Sequence, residues 1–231
     1  MCGRISQARD LMDYYSGLGL PESAILERMP PPKRFNVAPG TDVVVFHCLE
    51  DRLALDAIHW GYHTSWAKEK KLPPTINATI EKSRSPYWRS LWKTGRAIVP
   101  ADGWFEWTGG KGDKQPWFIK AKDGGPLFLC ALTNFKPSAE EQSYGAGFAL
   151  LTTEASGGML DVHDRRPIAL NAEDAAMWMD LSWSAEQVEE LVRASALPAE
   201  AFDWHQVTRD VNRVGNDGPR VIEPISSDQE T

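Results

Sequence analysis

The chain has 231 residues, of which 42% are hydrophobic and 25% charged, with a net charge of −7: an ordinary globular composition, long enough for one domain over residues 1–231 with a full core. No apolar run approaches the ~20 residues of a membrane span, and the opening "MCGRISQARD" has no apolar signal core, which points away from secretion. The acidic balance argues against broad coating of duplex DNA while leaving room for a local basic cleft, and three cysteines that are odd in number and far apart (Cys2, Cys48, Cys130) fit a reduced cytosol better than a disulfide framework.

In chain order, "ARDLMDYYSGLGL" reads as a short amphipathic helix ended by Gly17 and Gly19. The proline-rich "MPPPKRFNVAPG" reads as a stiff loop. "TDVVVFHCL" and "RLALDAIHWG" are strands of a hairpin turning at "EDR". "HTSWAKEKKLPPTINAT" is polar and irregular, and "SPYWRSLWKTG" is a helix ending at Gly95. Five strand signals follow: "RAIVPA", "WFEWT", "PWFIKA", "PLFLCALTNF" and "GAGFALLTT", separated by turns such as "GGKGDK" and "KDGG". "RPIAL" is a further short strand. Asn171 caps the helix "AEDAAMWMDL", and Ser184 with Gln187 forms a capping box on "AEQVEELVRAS". "DWHQVT" and "RVIEPI" close as short strands, and Ser226–Thr231 reads as a frayed tail. Strands run consecutively in the middle with helices toward the ends. That order predicts an α+β fold, a mainly antiparallel, barrel-like sheet with peripheral helices.

Several chemistries are missing from the sequence. There is no phosphate-binding G-x-x-x-x-G-K-[ST], no G-x-G-x-x-G, no G-x-S-x-G elbow and no C-x-x-C. His59 and His63 are four apart, but Gly61 between them sits in a strand-like stretch, so they read as structural histidines. Neither a metal nor a cofactor is expected.

Four stretches carry reactive groups. A small residue behind Met1 normally allows the initiator to be trimmed. Cys2 would then present an amine and a thiol on one residue. Such a pair attacks an aldehyde twice, first as a Schiff base and then by ring closure to a thiazolidine, with the high effective molarity of an intramolecular step. In "ADGWFEW", strand alternation places Trp104 and Glu106 on one face and Phe105 and Trp107 on the other. A carboxylate among aromatics acquires a raised pKa and becomes an acid near neutrality, although a salt-bridged strand glutamate has the same local pattern. In "DVHDRRP", His163 stands beside Arg165 and Arg166, as suits a proton carrier at an anionic substrate or an ordinary polar turn. Asn77 in "PPTINATIE" could orient a nucleophile or simply serve a turn. Ten tryptophans are many; most should pack in the core, and a few are candidates for stacking on bases.

Taken together, "MCGR", "FNVAPG", "WGY" followed by Trp66, "INA" with Glu81, "ADGWFEW", "LLTTEA", "VHDRRP" and "NDGPRVIEPI" resemble the SRAP family (SOS response-associated peptidase) over nearly the whole chain. The resemblance implies a protein that crosslinks itself to abasic sites in single-stranded DNA through Cys2, as a monomer in the bacterial cytoplasm that joins the nucleoid when on DNA. It implies Cys2 as nucleophile, Glu106 as acid and base, His163 as proton shuttle and Asn77 as a holder of the N-terminal amine and sugar. Arg4, Arg165 and Arg166 are implied to serve phosphates. Pro39, Gly40 and Trp66 are implied to shape the cleft, and Thr152 to lie beside the nucleophile. One departure is visible: where the family carries an arginine two residues after the asparagine, this chain has Thr79. That predicts weaker DNA binding with a shallower salt dependence, unless Lys82 or Arg84 compensates. The rival reading is an N-terminal-nucleophile amidohydrolase of the glutamine amidotransferase kind, which also matures to an N-terminal cysteine. A peptidase and a non-covalent DNA-binding module are further alternatives.

Overall fold

The computed structural model describes residues 2–19, 32–49, 52–110, 112–135 and 146–225. The expected tail Ser226–Thr231 and part of the proline-rich loop lie outside these residues. The chain is α+β, built on two sheets. One sheet orders its strands β13 (Phe202–Gln206), β8 (Gln115–Ala121), β7 (Gly103–Thr108), β1 (Ile5–Gln7) and β2 (Arg34–Val37), all antiparallel. The other runs β11 (Arg165–Pro167), β10 (Phe148–Glu154), β9 (Leu127–Thr133), β6 (Arg96–Ala101), β3 (Asp42–Leu49) and β4 (Arg52–His59). Off that path, β12 (Ala169–Leu170) pairs with β9, and β5 (Asn77–Thr79) pairs with β10 in parallel within a sheet that is mainly antiparallel, as expected.

Period-two alternation explains why the larger sheet sits in the middle of the molecule. Val43 and Val45, Ala97 and Val99, Leu129 and Ala131, and Phe148 and Leu150 face the smaller sheet and meet Cys2, Ile5, Val37, Trp104 and Ile119 there. Their neighbours Val44, Phe46, Ile98, Phe128, Cys130, Leu132, Ala149 and Leu151 face the opposite way, under the helices. Those helices are α1 (Leu11–Gly17), α3 (Arg89–Thr94), α4 (Ala172–Met179) and α5 (Ala185–Ser195). They contribute Tyr14, Tyr15, Trp92, Trp178 and Val188 to this layer. The outer face of the smaller sheet is covered by a C-terminal strap, where Phe105 and Phe118 pack on Val207, Val211 and Val221.

The expected caps form: Asn171 accepts the Asp174 amide at 2.8 Å, and Ser184 with Gln187 closes a capping box. Arg96, 1% exposed, donates Nε to the Trp178 carbonyl at 2.7 Å and Nη2 to the Trp183 carbonyl at 3.1 Å, serving carbonyls left open at and beyond the end of α4.

Four local expectations need correction. "RFNV", inside the stretch read as a stiff loop, is strand β2, because the prolines lie before and after it and leave its backbone open to pair with β1. "HTSWAKE" is not irregular: Thr64 accepts the Ala67 amide at 3.1 Å and starts a short helix, α2 (Ser65–Glu69). "RVIEPI" forms a 3-10 turn at Pro219–Ile222 instead of a strand, because the strap follows the curved apolar face of Phe105 and Phe118. "RPIAL" is divided between β11 and β12, with Ile168 between them donating to Leu151 and accepting from Cys130 through its backbone.

Asp102–Gly103 is the corner that leads the chain from one sheet to the other. β6 ends at Ala101 in the larger sheet and β7 begins at Gly103 in the smaller. A Cβ at Gly103 would stand 2.3 Å from the Ile119 carbonyl oxygen, so the strands can approach only if that position has no side chain. Asp102 pins the corner, accepting from Ser6 Oγ at 2.8 Å, the Ala8 amide at 2.6 Å, Arg9 Nε at 3.1 Å and the Tyr14 hydroxyl at 2.8 Å.

Candidate active site and nucleic-acid interface

The site lies where the N-terminal segment runs beside β7. The antiparallel register sets Ile5 opposite Trp104, and the Phe105 amide donates to the Arg4 carbonyl at 2.9 Å. The residues preceding Ile5 are thereby brought alongside Glu106. Cys2 is fully buried. Its thiol is pushed up, first by burial and then by the Glu106 charge, so it stays protonated at neutral pH. It approaches the Arg4 carbonyl oxygen at 3.9 Å. Asn77 Nδ2 donates to the Cys2 carbonyl oxygen at 2.8 Å. The other side-chain atom of Asn77, Oδ1, is buried and has no hydrogen-bond partner among the described residues.

Glu106 is 3% exposed, and burial raises its pKa to about 7. Trp104 and Glu106 share the inner face while Phe105 and Trp107 share the outer, as alternation predicts. His163 Nε2 stands 3.8 Å from Glu106 Oε2. Its Nδ1 accepts the Arg165 amide at 3.0 Å and also lies 2.7 Å from Asp164 Oδ1. A lone pair suits the first contact and a proton the second, so both protonation states have a partner at this nitrogen. Burial lowers the His163 pKa while Asp164 opposes that shift. A buried carboxyl that titrates near 7 beside a histidine that can hold or release a proton is an acid–base pair suited to neutral pH.

The three arginines implied as phosphate contacts are in unequal states. Arg165 donates Nη1 to Glu81 Oε1 and Nη2 to Glu81 Oε2, both at 3.0 Å, and Nη2 also reaches the Thr152 carbonyl at 3.0 Å. Thr152 is fully buried and sits opposite Thr79 in the parallel β10–β5 register, its hydroxyl donating to the Ala78 carbonyl at 3.2 Å. Arg166, one residue on, turns the other way: it is 5% exposed and lies 5.7 Å from the Phe202 ring. Arg4 donates Nη1 to Asn36 Oδ1 at 2.5 Å and to the Val211 carbonyl at 2.7 Å, with its guanidinium 5.6 Å from the Trp107 ring.

The loop carrying Pro39 and Gly40 is linked to the strand of Asn77 through Trp60. Gly40, at φ 85°, donates its amide to the Trp60 carbonyl at 2.9 Å. Trp60 Nε1 in turn donates to the Ile76 carbonyl at 3.0 Å, next to Asn77. Trp66 stands on α2 with 57% of its surface exposed. The Tyr62 and Thr75 backbones pair at the base of that excursion, two residues before Asn77. Thus Cys2, Asn77, Glu106 and His163 come together, Thr152 and Arg165 join them from β10 and β11, and Arg166 is directed elsewhere.

Two residues escaped the reading of the sequence. Asn36 is 4% exposed, and its Nδ2 donates to the carbonyls of Val211, Arg213 and Asn216 at 3.2, 3.0 and 2.8 Å. It ties Arg4 to the strap, and only its place inside "FNVAPG" could have drawn attention to it. Asp164 was visible beside His163 but had no assigned part.

The family model described as "SOS response associated peptidase (SRAP)" matches residues 1–214. The chain belongs to this family. Among SRAP relatives, the abasic site processing protein YedK of Escherichia coli is 39% identical over 229 residues, covering 97% of this chain and 100% of its own. The abasic site processing protein YoqW of Bacillus subtilis is 29% identical over 231 residues, with 96% and 99% covered. The abasic site processing protein HMCES of Gallus gallus is 30% identical over 203 residues, with 76% and 58% covered. Among solved structures, a phage-related protein of Bordetella bronchiseptica matches at TM-score 0.75 and 36% identity, covering 90% of this chain and 95% of that one. A Bacteroides thetaiotaomicron protein shares the fold at TM-score 0.74 and 18% identity. In this SRAP chain no helix among the described residues is long and apolar enough to cross a membrane.

Proposed function

We propose that this protein processes abasic sites in single-stranded DNA by forming a covalent adduct through Cys2 after loss of Met1. The observation that carries the reading is the convergence on Cys2. Its carbonyl is held by Asn77, its thiol is buried within the field of Glu106, and Glu106 is 3.8 Å from His163. Relatives that cover nearly their whole length with this chain bear the name abasic site processing protein.

The chemistry runs in order. Glu106, which titrates near neutrality, passes a proton between the ring oxygen and the C1′ hydroxyl of the abasic deoxyribose and opens it to the aldehyde. The Cys2 amine, whose ordinary pKa lies near ~8, adds to that carbon first, because the buried thiol stays protonated. Loss of one water leaves the Schiff base. The thiol then adds across the C=N bond, its proton moving to the nitrogen, and closes the thiazolidine. His163 carries protons to and from Glu106. Asn77 Oδ1 receives a hydrogen bond from the new amine or a sugar hydroxyl. Arg4 and Arg165 serve phosphates, and Trp66 offers a face for a base. Removal of Met1 by the protein itself belongs to the same proposal, with Glu106 and His163 as the acid–base pair beside Cys2.

Incubating the purified protein with single-stranded DNA holding one abasic site tests this. An adduct stable to denaturation is expected from the wild type and not from Cys2→Ala. No adduct from a protein whose intact mass shows Met1 removed would overturn the reading, and glutamine hydrolysis in its place would favour the amidohydrolase.

A further inference from the structure

Glu81 occupies the solvent-facing edge of Arg165. Two parallel N–H···O bonds at 3.0 Å join the guanidinium to both carboxylate oxygens, the fork geometry that guanidinium also adopts on a phosphate. The two partners are unequally fixed. The Arg165 side chain is 17% exposed and further held by the Thr152 carbonyl and hydroxyl at 3.0 and 3.3 Å, whereas the Glu81 side chain is 45% exposed. If one of them moves, it is the carboxylate.

A second cation waits beside it. Arg193 donates Nη2 to the Ile80 carbonyl at 3.3 Å; burial pushes the Glu81 carboxyl up, but its bonds to Arg165, with the Arg193 charge as a smaller contribution, hold it below the ordinary range. Arg193 is itself paired with Glu189 at 2.9 Å, and Glu189 with Arg84 at 3.0 Å. This row of alternating charges lets Glu81 leave Arg165 and remain near a positive group.

We propose that Glu81 is an internal stand-in for a DNA phosphate: it fills the anion site of Arg165 in the DNA-free protein and is displaced when a backbone phosphate arrives. The proposal rests on the reading of Arg165 as a phosphate contact. It makes Glu81 a specificity-determining residue. Isolated small anions, attracted by a single charge, do not dislodge a bidentate carboxylate, whereas a strand held at several points does. Thr79, uncharged and opposite Thr152, adds no cation of its own to that register, so the occupancy of Arg165 matters more in this chain.

The test is anisotropy binding of an undamaged single-stranded oligonucleotide to the wild type, Glu81→Gln, Arg165→Lys, and the double variant, at several salt concentrations. Glu81→Gln should bind about fivefold tighter, the worth of one exposed ion pair. Arg165→Lys, which keeps the charge and loses the fork, should bind more weakly than wild type, and in its background the gain from Glu81→Gln should vanish. Weaker or unchanged binding by Glu81→Gln overturns the proposal, since Glu81 would then only position Arg165. An equal gain in both backgrounds overturns it too, as a general effect of removing a negative charge. If Arg165→Lys binds as well as wild type, the premise about Arg165 fails along with it. Adduct formation with abasic DNA by the same proteins is read separately, so failure here leaves the covalent chemistry standing or falling by itself.

Discussion

Asn77 holds Cys2 by its carbonyl, Nδ2 to O at 2.8 Å. Only the NH2 end of an amide can face a carbonyl, so the contact orients the side chain and leaves Oδ1, buried and without a partner among the described residues, free to accept from a reacting group. β5 is parallel to β10, with Asn77 opposite Leu150, so the larger sheet sets the position of Asn77. Asn77→Ala should therefore slow adduct formation about tenfold or more, the cost of one well-placed hydrogen bond. Asn77→Asp should be slower still, because a carboxylate would face the Cys2 carbonyl. Single-turnover gel assays at saturating abasic DNA measure both, with melting curves to show that the fold persists.

Glu106 links chemistry to stability through pH. Burial raises its pKa from 4.5 to about 7. The folded state therefore holds a proton that the unfolded state releases as pH rises past 4.5, so the group's contribution is present in acid and is lost as pH climbs to about 7. Relative to wild type, Glu106→Gln should gain up to about 3 kcal/mol between those limits, at ~1.4 kcal/mol per pH unit, and stay level above. Urea unfolding at a series of pH values reads this out. The same substitution should remove the limb near pH 7 from the rate profile of adduct formation; a profile identical to wild type would remove Glu106 from the chemistry.

Asn36 anchors the strap and, through it, Arg4. Asn36→Ala takes a donor from the carbonyls of Val211, Arg213 and Asn216, leaving the first to Arg4 Nη1, the second to the Asn216 amide and the third without its side-chain partner, and Arg4 Nη1 loses one of its two acceptors. A loss of about 1–3 kcal/mol is expected from the hydrogen bonds removed. Hydrogen exchange should rise selectively in residues 209–217, and Arg4→Ala should reproduce only part of the change.

The corner at Asp102–Gly103 is expected to be the most sensitive position outside the reacting groups. Gly103→Ala drives a Cβ into the Ile119 carbonyl, and neither strand can retreat without breaking the β7–β8 ladder. Asp102→Ala removes the acceptor for Ser6, Ala8, Arg9 and Tyr14 together. Each should cost about 3 kcal/mol or more. Because β1 is tied here, Asp102→Asn should retain much of the stability yet slow adduct formation by loosening the N-terminal segment. Thermal melts and adduct kinetics on the same preparations separate the two effects.

Much of the fold was legible because strand periodicity is local. Alternation alone separated Trp104 and Glu106 from Phe105 and Trp107, and the caps at Asn171 and Ser184 needed only residues three positions away. In "HTSWAKE" the prolines and lysines further along mask a one-cap helix, in "RFNV" the flanking prolines mask a strand, and in "RVIEPI" the apolar residues serve a strap across Phe105 instead of a ladder.

The sequence by itself determined the reactive inventory: a cysteine behind the initiator, a carboxylate among aromatics, a histidine beside arginines, and the order that marks the SRAP family. Only the tertiary structure decided which charges are available. Neighbours in sequence, Arg165 and Arg166 part to opposite faces of β11: the first meets Glu81, 84 positions away, and the second lies over Phe202. Arg4 is committed to Asn36 and to Val211, 207 positions away. Side-chain direction along a strand follows from the period of the backbone, but the partner of a buried charge is whatever distant group the fold brings within bonding distance.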